Sequence, residues 1–211
     1  MTTTGTELVF IFDCSGSMQG LEADTIGGYN AMLAKQKEID EEAAVTTVLF
    51  NDQCKTLHER VDIKKVVPLT KTDYEVGGTT ALLDAIGSTI QKVHHDLKAV
   101  KEPSNQVLFI ITTDGMENAS VEYSFERVKK LVDRQKELGW QFIFLGANID
   151  AIGTASKLGI GREFAVDYHA DAIGTQVNFS AVSETVVNYR IQGKFNRSWK
   201  KKIEADFKNR K

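Results

Sequence analysis

An unbroken apolar run from Leu8 to Phe12 ends in one carboxylate, Asp13, and is followed by hydroxyls at alternate positions, Ser15 and Ser17. This stretch constrains the chain more than any other. Such a run, rich in Val, Ile and Phe, reads as a strand covered on both faces, and strands of that kind belong in the middle of a parallel sheet. Residues i, i+2 and i+4 of an extended segment point to one side, so Asp13, Ser15 and Ser17 converge just past the strand end. Gly16 and Gly20 ease a tight turn into a helix, and ligands of open α/β sheets bind at this carboxyl edge. One carboxylate with neutral hydroxyls and water suits a small cation that prefers oxygen, Mg2+ above all. The same residues also fit a plain strand-to-helix turn in which a serine caps the helix. Two later stretches favour the metal.

The rest of the chain alternates strands and helices. Leu21 to Glu42 carries Ile26, Tyr29, Met32, Leu33 and Ile39 at mostly helical spacing, interrupted by Gly27-Gly28. Ala44 to Phe50, the Asn51-Asp52 turn and Cys54 to Val61 read as a hairpin, whose second strand is polar enough for a sheet edge. After a linker containing Pro68, Gly77-Gly78-Thr79-Thr80 opens a helix over Ala81 to Val100. Gln106 to Thr113 is a second central strand, followed by Asp114-Gly115 and a helix from about Ser124 to Leu138. A strand from Trp140 to Leu145, a short helix over Ile149 to Leu158, a strand from Glu163 to Tyr168 and a helix over Thr175 to Ile191 complete the body. This alternation implies a doubly wound α/β fold, mostly parallel, with one antiparallel member from the hairpin.

The 211 residues allow one domain with a substantial core, expected over residues 1–192, and a basic helical tail over residues 193–211. The tail holds eight basic and two acidic residues from Lys194 on, in a chain of formal net charge -3. Trp199, Ile203 and Phe207 recur at helical spacing within it, which favours packing on the body over a nucleic-acid contact. No apolar run approaches the roughly 18 residues that span a bilayer. The start, Met1-Thr2-Thr3-Thr4-Gly5-Thr6, has no basic region before Leu8, and Cys14 and Cys54 form neither a zinc pattern nor a disulfide framework. The expectation is a cytoplasmic monomer, with Cys14 a buried filler.

Asp13-x-Ser15-x-Ser17, the Gly-Gly-Thr-Thr loop and Thr113-Asp114-Gly115 together resemble the metal-ion-dependent adhesion site of von Willebrand factor type A domains, over roughly residues 7 to 170. The resemblance implies a three-layer sandwich around a six-stranded sheet in the order 3-2-1-4-5-6, with the hairpin at one edge. It also implies a metal held by Asp13, Ser15, Ser17, Thr80 and Asp114, with the hydroxyls direct and the carboxylates partly through water. Anchoring the family's T-x-L-x-D-A pattern on Thr80 to Ala85 selects Thr80 over Thr79. Mg2+ is the expected ion, with Mn2+ or Ca2+ as substitutes, and the expected partner is a protein that supplies an Asp or Glu carboxylate. The chain looks most similar to stand-alone intracellular bacterial members.

An enzyme is not expected. Haloacid-dehalogenase-like phosphotransferases also place an Asp after the first strand, but they need a second carboxylate two positions on, and Ser15 stands there. A calcium-binding EF-hand loop starting at Asp13 would have Met18 where Gly is required. No G-x-x-x-x-G-K-[ST] loop occurs, Gly159-Ile160-Gly161 lacks the third dinucleotide-binding glycine, and His94-His95 diverge by about 100° on a helix. The remaining alternative is a scaffold whose metal site is vestigial.

Overall fold

The computed structural model describes residues 5–100, 106–196 and 198–210; residues 1–4 of the polar start, and Arg197 and Lys211 of the basic tail, lie outside them. Six strands form one sheet: β1 (Thr6–Asp13), β2 (Ala43–Phe50), β3 (Cys54–Asp62), β4 (Gln106–Thr113), β5 (Gln141–Ala147) and β6 (Ala165–Tyr168). Their order is β3-β2-β1-β4-β5-β6, and every pair is parallel except the β2–β3 hairpin at the edge. The expected fold class and strand order are therefore both found.

The two central strands are buried at almost every position, and their alternating residues feed two separate cores. Leu8, Phe10 and Phe12 face α1 (Glu22–Lys37) and α5 (Ala172–Gln192), with Tyr29 set edge-on against both phenyl rings. Val9 and Ile11 face α2 (Leu82–Lys98), α3 (Phe125–Glu137) and the short α4 (Ala151–Lys157). A strand covered on both sides needs apolar residues in both registers, which is why β1 and β4 show no polar alternation.

Several boundaries differ from the sequence expectation. α1 stops at Lys37, because four acidic residues among Glu38 to Glu42 would crowd the negative end of the helix, where Lys35 and Lys37 already sit favourably. α5 starts three residues early, at Ala172, because Asp171 caps it by accepting from Gly174 N–H at 2.7 Å. β6 is shorter than expected, its first residues forming a turn of 3-10 helix at Arg162–Phe164. The tail ends in α6 (Lys201–Asn209), in which Ile203 is buried and Phe207 stacks on His169; Trp199, in the turn before it, is buried too.

Candidate metal centre

β1 has neighbours of opposite winding, with α1 on one face and α2 on the other, so the crevice beside its carboxyl end is a topological switch point. All five residues singled out from the sequence gather there. Asp13 ends β1, and its carboxylate is fixed by two donors, Ser15 N–H to Oδ1 at 2.7 Å and Thr113 Oγ1 to Oδ2 at 2.5 Å. The Tyr74 hydroxyl donates to the Asp13 carbonyl oxygen from below. Ser15 Oγ lies 3.1 Å from Ser17 Oγ, and Ser17 Oγ donates to Asp114 Oδ1 at 2.5 Å.

The Gly-Gly-Thr-Thr loop is laced to both neighbours. Gly77 N–H donates to the Cys14 carbonyl at 2.9 Å and Gly16 N–H to the Gly78 carbonyl at 3.0 Å, while Ala81 N–H reaches the Asn51 carbonyl at 2.7 Å. Gly78 sits at φ +76°, a left-handed conformation that suits glycine, and it faces Asp52 so closely that a Cβ would collide. This arrangement buries Thr80 and leaves Thr79 exposed.

Gly115 marks the focus. A Cβ there would meet Ser17 Oγ at 3.0 Å, Thr80 Oγ1 at 3.1 Å and Ser15 Oγ at 3.8 Å. The three hydroxyls thus face one small space beside Gly115, which a larger side chain would crowd. Asp114 Oδ2 is buried with no hydrogen-bond partner among the described residues. Such an atom is costly to leave unpaired, so the donor set has one unmet demand, for a cation or a bound water. Burial raises the Asp13 carboxyl above its ordinary range and raises Asp114 as well, the Asp13 charge adding to the latter. Neither carboxylate has a Lys or Arg partner among the described residues. A divalent ion among hydroxyls and two buried carboxylates fits both facts, and the oxygen-only chemistry suits a hard cation.

Thr113 and Tyr74 orient the site but were not among the expected site residues. Thr113 had a signal, as a hydroxyl closing an otherwise apolar strand; Tyr74, in a loop without periodicity, had none. Cys14 is buried as expected: its thiol donates to the Phe50 carbonyl at 3.2 Å, and burial pushes it up to about 12, far from a reactive thiolate.

Three solved structures share this fold. The D319A mutant of the PilB minor pilin from Streptococcus sanguinis superposes with a TM-score of 0.63 at 12% identity, covering 90% of this chain and 64% of that one. Proximal thread matrix protein 1 from the mussel byssus, solved with a zinc-occupied MIDAS motif, gives 0.61 at 15% identity over 85% of this chain; this chain spans 47% of its length. Manganese-loaded TRAP protein of Plasmodium vivax gives 0.57 at 18% identity, over 85% of this chain and 74% of that one. At these identities the likeness is one of fold. No curated protein matches the chain by sequence. The sequence profile of the von Willebrand factor type A domain, however, matches residues 7–187, so the chain belongs to that family.

Proposed function

We propose that this domain is a divalent-metal-dependent protein-binding module, in which Ser15, Ser17, Thr80, Asp13 and Asp114 hold Mg2+ and the metal captures a carboxylate of a partner protein. The observation that carries this reading is the focus of three hydroxyls beside Gly115, next to the unpartnered Asp114 Oδ2. Zinc in the MIDAS motif of the byssus protein and manganese in TRAP support a divalent ion in this fold. Ser15, Ser17 and Thr80 would contribute neutral hydroxyls, leaving most of the ion's charge to attract an incoming anion. Asp13, each of whose oxygens already accepts one hydrogen bond, from Ser15 and from Thr113, would hold the ion partly through water and by its field. Metal and partner would then bind cooperatively, each strengthening the other.

A binding role is favoured over catalysis because the groups beside the focus are hydroxyls and two carboxylates with no Lys, Arg or His beside them among the described residues, and the one nearby thiol is held protonated. Among the described residues, no helix is long and apolar enough to cross a membrane. A reducing compartment such as the cytoplasm suits the exposed, unpaired Cys54.

Affinity purification from the host organism tests the reading, with wild type and Asp114→Asn compared in Mg2+ and in EDTA. We expect a partner retained by wild type in Mg2+, released by EDTA and absent from Asp114→Asn. A partner held equally in EDTA sinks the metal mechanism and leaves the scaffold with a vestigial site.

A further inference from the structure

Residues 115–124, which join Asp114 to α3, form a loop with an inverted polarity. Its polar side chains, and those of α2 below it, are spent on holding its backbone. Asp84 Oδ2 accepts from Val121 N–H at 2.8 Å, and Asp84 Oδ1 from Glu122 N–H at 3.0 Å and Tyr123 N–H at 2.8 Å. Glu117 accepts from Ala119 N–H, Ser120 N–H and Ser120 Oγ within the loop, and from Leu83 N–H of α2 at 2.9 Å. Asn118 clamps Thr80, accepting from its N–H at 2.9 Å and donating to its carbonyl at 3.0 Å. Tyr123 packs into the core beside α2, but two of the loop's apolar side chains face the other way: Val121 is 90% exposed and Met116 74%, the two highest values among the large hydrophobic residues described.

Exposed apolar side chains on a firmly held loop contribute nothing to the domain's own core. They do suit a contact with another molecule, because a preorganised loop loses little conformational freedom on binding and a Met adapts to varied surfaces. Met116 follows Gly115, which faces the three hydroxyls, so its Cα lies about 3.8 Å from that residue's. The charge of the same sheet edge narrows the partner. Besides Asp13 and Asp114, the loops there (14–21, 51–53, 74–81, 115–124, 148–150, 169–171) contain Asp52, Glu75, Glu117, Glu122, Asp150 and Asp171, and no Lys or Arg. Arg210 answers Asp171 and Arg127 reaches the Glu122 carbonyl, but Asp13, Asp52, Glu75 and Asp114 have no salt-bridge partner among the described residues. A polyanion meets net repulsion over these four, whereas a single carboxylate has the metal to offset it.

We infer that Met116 and Val121 are the apolar half of a protein-docking surface whose other half is the metal. The partner is a protein segment that sets an apolar side chain within two residues of its metal-seeking Asp or Glu, with basic rather than acidic residues beyond. This rests on the carboxylate-capture reading above.

Random peptides displayed on phage, panned on the immobilised protein in Mg2+ and eluted with EDTA, provide the test. We expect eluted peptides with Asp or Glu beside Leu, Ile, Met or Phe and no net negative charge elsewhere. Synthetic copies should bind the double variant Met116→Ser/Val121→Ser at least tenfold more weakly, while its Mg2+-induced melting shift matches wild type. Acidic peptides without an apolar neighbour, or full binding to the double variant, overturn this inference and leave the metal reading standing. A double variant that loses the Mg2+ shift also overturns it, because the two side chains would then belong to the metal site itself. If EDTA elutes no acidic peptides, both readings fall.

Discussion

Asp114 carries a conflict that stability alone would remove. One of its oxygens accepts from Ser17, the other is buried without a partner, and burial together with the Asp13 charge opposes its ionisation. Replacing it by Asn removes the desolvated charge. In EDTA, Asp114→Asn is expected to melt no lower than wild type and up to a few degrees higher, for a gain of about 1 kcal/mol. Function would be lost while stability is kept, a common exchange at binding sites. The pH dependence follows from the same two carboxyls. A carboxyl raised in the folded state stabilises the metal-free fold fully below its unfolded value of about 4, and that stabilisation is lost as pH rises through the raised folded value. Protons and metal compete for these oxygens, so the Mg2+-induced melting shift should grow as pH rises from about 4 toward 7. Melting curves in EDTA and Mg2+ across that range check it; a shift that shrinks with rising pH contradicts it. At this scale the sequence was partly legible. Asp13, Ser15, Ser17 and Asp114 announce themselves because they interrupt apolar runs, whereas Tyr74 reaches the site through tertiary packing that no local pattern encodes.

At the scale of elements, α1 and α5 cross closely at Gly28, where a Cβ would collide with the Phe179 ring. Its neighbour Gly27 has nothing within 4 Å of the same position. The adjacent glycines therefore predict opposite outcomes. Gly28→Ala should destabilise by about 1–3 kcal/mol through overpacking. Gly27→Ala should stabilise by up to about 1 kcal/mol, because alanine loses less conformational entropy in a helix. Urea denaturation of the two variants decides this, and equal effects would mean that the crossing is looser than the structure shows. From the sequence alone the pair reads only as a weakness in a helix. β1 and β4 could be placed to within about two residues because no helix in this chain is as continuously apolar, but the ends of α1 and α5 depend on caps and dipoles that act against the periodicity.

At the scale of the molecule, the C-terminal segment bears on how far the domain extends. Trp199 is buried and donates from Nε1 to the Glu163 carbonyl at 2.9 Å, and Lys200 Nζ reaches the carbonyls of Arg162 and Ala165 at 2.7 and 2.8 Å. Lys202 pairs with Glu184, and Arg210 with Asp171 and Asp206, so part of the basic charge is answered within the chain. Trp199→Ala should cost about 3–5 kcal/mol. No loss in denaturant midpoint would instead mark residues 193–211 as an appendage, independent of the rest.

The sheet order, two cores and closely tied loops serve one arrangement: neutral hydroxyls and buried carboxylates around a point at the switch of the sheet. Calorimetric melting of the wild type in EDTA and in increasing Mg2+, beside Asp114→Asn, tests that arrangement most directly. The wild type should gain about 2.7 kcal/mol at a Mg2+ concentration a hundredfold above its dissociation constant, a rise of several degrees. Asp114→Asn should fold, melt cooperatively and show no such rise. A wild-type midpoint indifferent to Mg2+ and Mn2+, or an equal rise in Asp114→Asn, would contradict a metal bound at this site.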